Sequence, residues 1–147
     1  MKKLFSFLTF FIIINGISNA QLSKVDNNNL EIGKITPGGI KTIYLVQSGD
    51  TFTFHYKDAK YQQLEEWKSF TIESRQDLDD FYKMVMDGFK EVPKDDVMIE
   101  SPNGYIFLKY RKFLGKPVLS FAFSDNPEVI GFSNEYTEKQ VKKLFGK

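Results

Sequence analysis

Short segments in which apolar and polar residues alternate dominate this chain and restrict it to folds built on half-buried strands. The clearest segment is 51–57, where Phe52, Phe54 and Tyr56 alternate with threonine, histidine and lysine. A period of two places successive side chains on opposite faces of a strand, so the three aromatic side chains should point into a core. The sequence therefore predicts a β-sheet with one buried face.

Turn signals separate this strand from several others. Pro37-Gly38-Gly39 and Ser48-Gly49-Asp50 each favour a tight turn, and the Asn103-Gly104 pair is typical of a β-hairpin. Connections this short join antiparallel neighbours. The strands predicted between such signals are 30–35, 40–46, 51–57, 67–73, 97–100, 105–111, 118–123 and 129–133.

Two segments have the spacing of amphipathic helices. The first begins at Ser74, which forms a capping-box pattern with Asp77, and it should end before Pro93. The second begins at Thr137, with Gln140 in the corresponding position. The apolar stripe of the first helix consists of Leu78, Phe81, Tyr82, Val85 and Phe89.

These elements follow one another in the order ββββ-α-ββββ-α. Antiparallel strands with two helices to cover them predict a single α+β domain at residues 30–147. We expect one antiparallel sheet with two helices packed on one face. This domain is expected to follow a cleaved signal peptide.

The pattern of a secretory signal peptide occupies residues 1–20. Lys2 and Lys3 precede a charge-free, mostly apolar run at 4–14, and Ser18-Asn19-Ala20 supplies the small residues of a cleavage site. The apolar run has eleven residues, whereas a membrane-spanning helix needs roughly twenty. We therefore predict no stable membrane anchor and a bacterial protein that is periplasmic or secreted.

The mature chain should begin near Gln21, with the polar residues 21–29 as a flexible lead. The formal net charge of the whole chain is +1. Because Lys2 and Lys3 would leave with the signal peptide, which contains no acid, the mature chain would carry −1. A nearly neutral chain lacks the basic excess of nucleic-acid-binding proteins, so no nucleic-acid partner is predicted.

Composition also excludes several kinds of site. The chain has no cysteine and a single histidine, His55. Disulfides, thiol catalysis and zinc sites built on cysteine or several histidines are therefore not expected. No metal and no cofactor is predicted. His55 stands alone on the outward side of its strand, and we expect it to be a solvated surface residue rather than a general base.

The stretch Tyr44–Phe52, with the sequence YLVQSGDTF, resembles the opening of a LysM module. That family binds peptidoglycan or chitin, and its first strand leads into a Gly-Asp-Thr turn. The resemblance covers nine residues. The family continues into a helix after this turn, whereas residues 51–57 alternate as a strand does. The sequence thus favours a turn between two strands over a LysM fold.

An aromatic sheet face gives the candidate functional surface. Alternation along 105–111 places Tyr105 and Phe107 on the face opposite the helices, where Trp67 and Tyr44 would join them. Such a patch suits a protein, peptide or saccharide partner. Dimerisation at this face, or its cover by a loop or the N-terminal lead, fits the pattern equally well.

No residue pattern indicates a reaction. The main hypothesis is a small exported non-enzymatic binding or inhibitory module whose ligand-binding residues are Trp67, Tyr105 and Phe107. One alternative is a cell-wall or polysaccharide hydrolase with carboxylates that the sequence cannot pair. Another is a structural component of an envelope assembly.

Overall fold

Eight strands, two α-helices and two three-residue 3-10 helices form the regular structure of the described part of the protein, residues 29–61, 66–126 and 130–147 of a computed structural model. The predicted signal peptide, and the predicted lead except residue 29, lie outside the described residues. The strands are β1 (Leu30–Ile35), β2 (Ile43–Ser48), β3 (Thr51–Lys57), β4 (Trp67–Ile72), β5 (Val97–Ser101), β6 (Gly104–Phe113), β7 (Lys116–Ser124) and β8 (Tyr136–Thr137), and the helices are α1 (Arg75–Lys90) and α2 (Glu138–Leu144).

The strands form two four-stranded antiparallel sheets. The first sheet has the order β1-β2-β3-β4 and the second has the order β5-β6-β7-β8. The prediction of a mixed α+β chain with antiparallel strands is confirmed, but the expectation of one continuous sheet is wrong. The sixteen-residue helix α1 separates β4 from β5 in the sequence. Each strand pairs only with strands on its own side of this helix, so β1–β4 form one sheet and β5–β8 form the other.

One apolar core is shared by both sheets and both helices. As the alternation predicted, Phe52, Phe54 and Tyr56 are at most 1% exposed. The ring of Phe54 stacks on Phe70 of β4 with centroids 4.8 Å apart, and it lies 6.3 Å from Phe121 of β7. Aromatic rings from the two sheets therefore contact each other directly, which joins the sheets in a single core.

Helix α1 begins as the sequence predicted. The Ser74 hydroxyl accepts a hydrogen bond from the backbone N–H of Asp77 at 3.1 Å and donates one to the Asp77 carboxylate at 2.6 Å. This cap satisfies one of the N–H groups that the first turn leaves without a helical partner. The helix turns its apolar stripe to the core, where Leu78, Phe81, Val85 and Phe89 are buried.

Gly88 allows α1 to approach the second sheet closely. A Cβ at this position would overlap the ring of Tyr110 on β6 and lie 2.6 Å from its hydroxyl oxygen. The Tyr110 hydroxyl donates a hydrogen bond to the Val85 carbonyl at 2.8 Å, and burial raises the Tyr110 pKa. Gly88 thus lies where the helix and β6 meet.

Helix α2 has the predicted capping box. The Thr137 hydroxyl accepts from the Gln140 backbone N–H at 3.4 Å, and the Gln140 side chain accepts from the Thr137 backbone N–H at 2.8 Å. Val141 and Leu144 enter the core. A Cβ at Gly33 of β1 would lie 2.5 Å from the Leu144 carbonyl oxygen, so this glycine permits the helix to lie against the first sheet.

The last predicted strand, 129–133, does not form as expected. Residue 129 lies outside the described residues, and Phe132 makes only an isolated bridge to Ala122; the regular pairing comes later, at β8. Ser133 still contacts β7, since its backbone N–H donates to the Phe121 carbonyl at 2.7 Å, but the segment also contacts the first sheet. The Tyr56 hydroxyl donates to the Gly131 carbonyl at 3.3 Å and accepts from the Phe123 N–H at 2.8 Å.

Burial raises the pKa of Tyr56 to about 12, so its hydroxyl stays protonated and keeps both hydrogen bonds. Beside it, the Lys68 ammonium donates to the buried Asp58 carboxylate at 3.0 Å. A Cβ at Gly131 would overlap both of these groups. The path of the chain at Gly131 is thus fixed by contacts with side chains of the first sheet and of the residue after β3.

Candidate functional site

The three residues predicted to share a ligand-binding face lie on different sheets. Trp67 begins β4 of the first sheet, whereas Tyr105 and Phe107 belong to β6 of the second. Trp67 and Tyr105 are half-buried, but Phe107 is only 6% exposed and offers little surface to a partner. The structure therefore does not bring the three side chains together on one sheet, because the single sheet that would have carried them is divided in two.

Trp67 lies instead beside Tyr44 and His55. Tyr44 of β2 and His55 of β3 pair directly across the strands, and their rings stack with centroids 4.7 Å apart and an interplanar angle of 16°. Trp67 meets the Tyr44 ring edge to face at 5.1 Å and 76°. Strand alternation places all three on the face opposite the core. We call Tyr44, His55 and Trp67 the outer aromatic cluster.

Two lysines complete the packing of the cluster. The Lys41 ammonium lies 4.6 Å from the centre of the Tyr44 ring, and the Lys57 ammonium lies 5.1 Å from the centre of the Trp67 ring. Lys41 is also held by the Glu31 carboxylate at 2.8 Å. Attraction between a cation and the negative face of an aromatic ring favours these positions. The rings are thus ordered by neighbours on several sides.

His55 is the titratable member of the outer aromatic cluster. Partial burial removes water from its imidazole and lowers the His55 pKa from its ordinary value of 6.5. At neutral pH the ring is therefore uncharged, with one nitrogen that donates and one that accepts hydrogen bonds. The prediction that His55 points outward is confirmed, but it is half-buried in an aromatic stack.

Hydroxyl groups border the cluster on the same face. The Thr53 and Thr71 hydroxyls share a hydrogen bond of 3.0 Å across β3 and β4. Ser69 pairs with His55 and is exposed. An aromatic centre with a polar surround is the usual composition of a protein-binding surface.

The strand register contained a signal for this cluster that the sequence analysis missed. Gly49 and Asp50 form a two-residue turn, so residues at equal distances before and after it must pair. Tyr44 and His55 are such a pair. Alternation assigned each of them to a face, but only the pairing places one ring on the other. The same turn leads into β3, so the LysM-like stretch continues as a strand, as predicted.

Away from the outer aromatic cluster, a concave region lies between α1, the end of β4 and the hairpin of β5 and β6. This cleft has a volume of about 280 Å³. Two of its acidic side chains already have partners at the start of α1: Asp77 accepts from Ser74 at 2.6 Å, and Asp80 accepts from Gln76 at 3.2 Å. Helix capping and side-chain bonds within the first turns thus account for both carboxylates. The acidic residues of the lining are Glu73, Asp77, Asp80 and Glu100.

Among the described residues, no cluster of three or more histidine or acidic side chains has an arrangement that could hold a metal ion. Neither described helix combines the length and the apolar character needed to cross a bilayer. Comparisons with protein families, with curated proteins and with solved structures find no match to this chain.

Proposed function

We propose that this protein is an exported, non-enzymatic binding module that contacts a protein partner through the outer aromatic cluster. The observation that carries the proposal is the fixed contact among Tyr44, His55 and Trp67 on a sheet face directed away from the core. Export is supported by the lysines, the apolar run and the small residues at 1–20.

Rigid aromatic side chains favour binding because little conformational entropy is lost when a partner arrives. Tyr44 is ordered by His55 on its strand partner and by Trp67 at its edge, and Lys41 lies over its ring. Tyrosine and tryptophan are also the residues that most often dominate the energy of protein interfaces. These properties distinguish the cluster from aromatic residues scattered singly over a surface.

The ring contacts favour a protein over a saccharide. A sugar stacks on an open aromatic face, but the Tyr44 ring has His55 stacked on it at 4.7 Å and the Lys41 ammonium over it at 4.6 Å. The Tyr44 ring therefore offers a partner its edge and its hydroxyl rather than a free face, and His55 and Trp67 add their ring nitrogens beside it. Edges and polar tips suit the mixed apolar and hydrogen-bonding contacts of a polypeptide.

Affinity capture with matched variants tests the proposal. The wild-type protein, a Tyr44→Ala/Trp67→Ala variant and the control Tyr105→Ala are each immobilised and exposed to an envelope extract of the producing cells. We expect one protein to be retained by the wild type and the control, with at least about a tenfold loss on the double variant. Circular dichroism verifies that each variant remains folded.

Equal retention by the double variant and the wild type would exclude the outer aromatic cluster as the contact surface. Release of the captured material by added envelope oligosaccharide, but not by salt or peptide, would replace the protein partner with a saccharide. Loss on Tyr105→Ala alone would move the site to the second sheet.

A further inference from the structure

The tip of the hairpin formed by β6 and β7 has an unusual combination of backbone and side chains. The two strands join through Leu114 and Gly115 alone, with Phe113 paired to Lys116. We call Phe113–Lys116 the hairpin tip. Leu114 is 88% exposed and Phe113 is 51% exposed. The two longest of the described strands thus carry two large apolar side chains into solvent at their end.

Leu114 also has a costly backbone conformation. Its φ is +49°, and within residues 29–61, 66–126 and 130–147 it is the only non-glycine residue with a positive φ. Two-residue hairpin turns of this kind favour asparagine, aspartate or glycine, because a leucine side chain crowds the backbone there. The backbone conformation lowers stability, and a side chain this exposed gains nothing from burial to offset that cost. Strain of this kind is concentrated at functional sites.

Basic side chains surround the hairpin tip. Residues 109–116 contain Lys109, Arg111, Lys112 and Lys116 and no acid, and all four side chains are exposed. Arg111 forms an ion pair with Glu135. Lys112 precedes Phe113 in the sequence, and Lys116 pairs with Phe113 across the strands. The Arg111 guanidinium lies 5.3 Å from the centre of the Phe113 ring. The hairpin therefore concentrates positive charge in a chain whose overall charge is close to zero.

We propose that the hairpin tip docks on the surface of a bilayer that contains anionic lipids. Leu114 and Phe113 would enter the boundary between headgroups and acyl chains, while Lys112 and Lys116 remain at the level of the lipid phosphates. This contact lies on the second sheet and is independent of the partner proposed for the first. It is peripheral and reversible, and it requires no membrane-spanning segment.

The size of the tip favours a bilayer over a protein as its occupant. Stable protein interfaces bury roughly 1,200–2,000 Å² in total around a central patch, whereas the hairpin tip offers two apolar side chains at a protruding turn. Association with a lipid surface has no such minimum area, because its strength scales with the apolar area inserted together with the attraction to anionic headgroups. The positive charges of Lys112 and Lys116 thus complement the negative charges of the lipid phosphates.

Vesicle sedimentation with turn variants tests this inference. The probe is phosphatidylcholine vesicles with and without phosphatidylglycerol, and the variants are Leu114→Asn and Lys112→Gln/Lys116→Gln. The apolar run at 4–14 can bind lipid in any form of the protein that retains it, so only differences between variants with the same N-terminus are read. Asparagine suits the positive φ, so Leu114→Asn should melt at the same or a higher temperature.

Leu114→Asn should nevertheless partition about tenfold less onto vesicles with phosphatidylglycerol. The double lysine variant should lose the preference for these vesicles over pure phosphatidylcholine. The control is Ile40→Asn. Ile40 lies in the connection between β1 and β2 and is 66% exposed, and this variant should bind vesicles as the wild type does. The inference would be overturned if Leu114→Asn bound vesicles as well as the wild type does. It would also be overturned if Ile40→Asn lost as much binding as Leu114→Asn, or if phosphatidylglycerol made no difference to binding.

Discussion

The aromatic neighbour of His55 changes the protonation of its imidazole. Its ring stacks on Tyr44 at 4.7 Å, and the loss of water lowers the pKa of His55 below 6.5. The folded protein therefore binds this proton less readily than the unfolded chain. The stability that depends on neutral His55 is fully present above the unfolded pKa and decreases as pH falls through that value toward the folded pKa.

A nuclear magnetic resonance titration of the imidazole measures this effect directly, because His55 is the only histidine and gives a single titrating signal. We expect a midpoint below 6.5 for the wild type. In Tyr44→Ala, which opens the ring to water, the midpoint should move back toward 6.5. A wild-type midpoint at or above 6.5, or one that Tyr44→Ala leaves in place, would show that the stack does not desolvate the imidazole.

At the scale of elements, the short-range patterns were the most predictive. The helix starts at Ser74 and Thr137 were found correctly, because a capping residue acts within one turn of its own chain. The strand predicted at 129–133 was wrong, since Gly131 is held by contacts with Tyr56 and Asp58, which lie far away in the sequence. Local patterns therefore define elements well where local contacts decide their conformation.

A substitution at Gly88 tests the close packing of α1 against β6. Replacing glycine by alanine in a helix ordinarily adds up to about 1 kcal/mol of stability, but here the new methyl group would overlap Tyr110. We predict that Gly88→Ala lowers the free energy of unfolding by about 2 kcal/mol in urea titrations, as overpacked cores do.

The matched background for this substitution is Tyr110→Leu, which removes the ring that the methyl group meets. There, Gly88→Ala should cost much less or become stabilising. If the Gly88→Ala variant is as stable as the wild-type protein, α1 does not lie as close to β6 as described here.

At the scale of the whole molecule, two sheets are joined by one core. The sequence predicted the order of elements and the inward aromatic residues, but it placed all strands in a single sheet. Which strands pair depends on contacts between distant residues, such as Phe54 with Phe121, and these leave no periodic pattern. The same limit explains why Trp67 and Tyr44 were grouped with Tyr105 and Phe107, and why His55 was not recognised as their neighbour.

A shared core predicts that both sheets unfold together. Trp67 is the only tryptophan, so its fluorescence reports on the first sheet, while Phe121 belongs to β7 of the second. Phe121→Leu should cost about 1–2 kcal/mol and shift the Trp67 fluorescence transition and the far-ultraviolet circular dichroism transition by the same amount. The exposed control Phe113→Leu should shift neither. A fluorescence midpoint unchanged by Phe121→Leu would mean that the sheets unfold as separate units.

Site-specific photocrosslinking in the producing cell tests most directly whether the outer aromatic cluster is the contact surface. A photoreactive phenylalanine derivative replaces exposed Ser69, which pairs with His55, or exposed Lys94 on the connection after α1. We predict one discrete adduct with a protein from position 69, none from position 94, and loss of the adduct when Trp67→Ala is added. No adduct from position 69, or equal adducts from both positions, would contradict it.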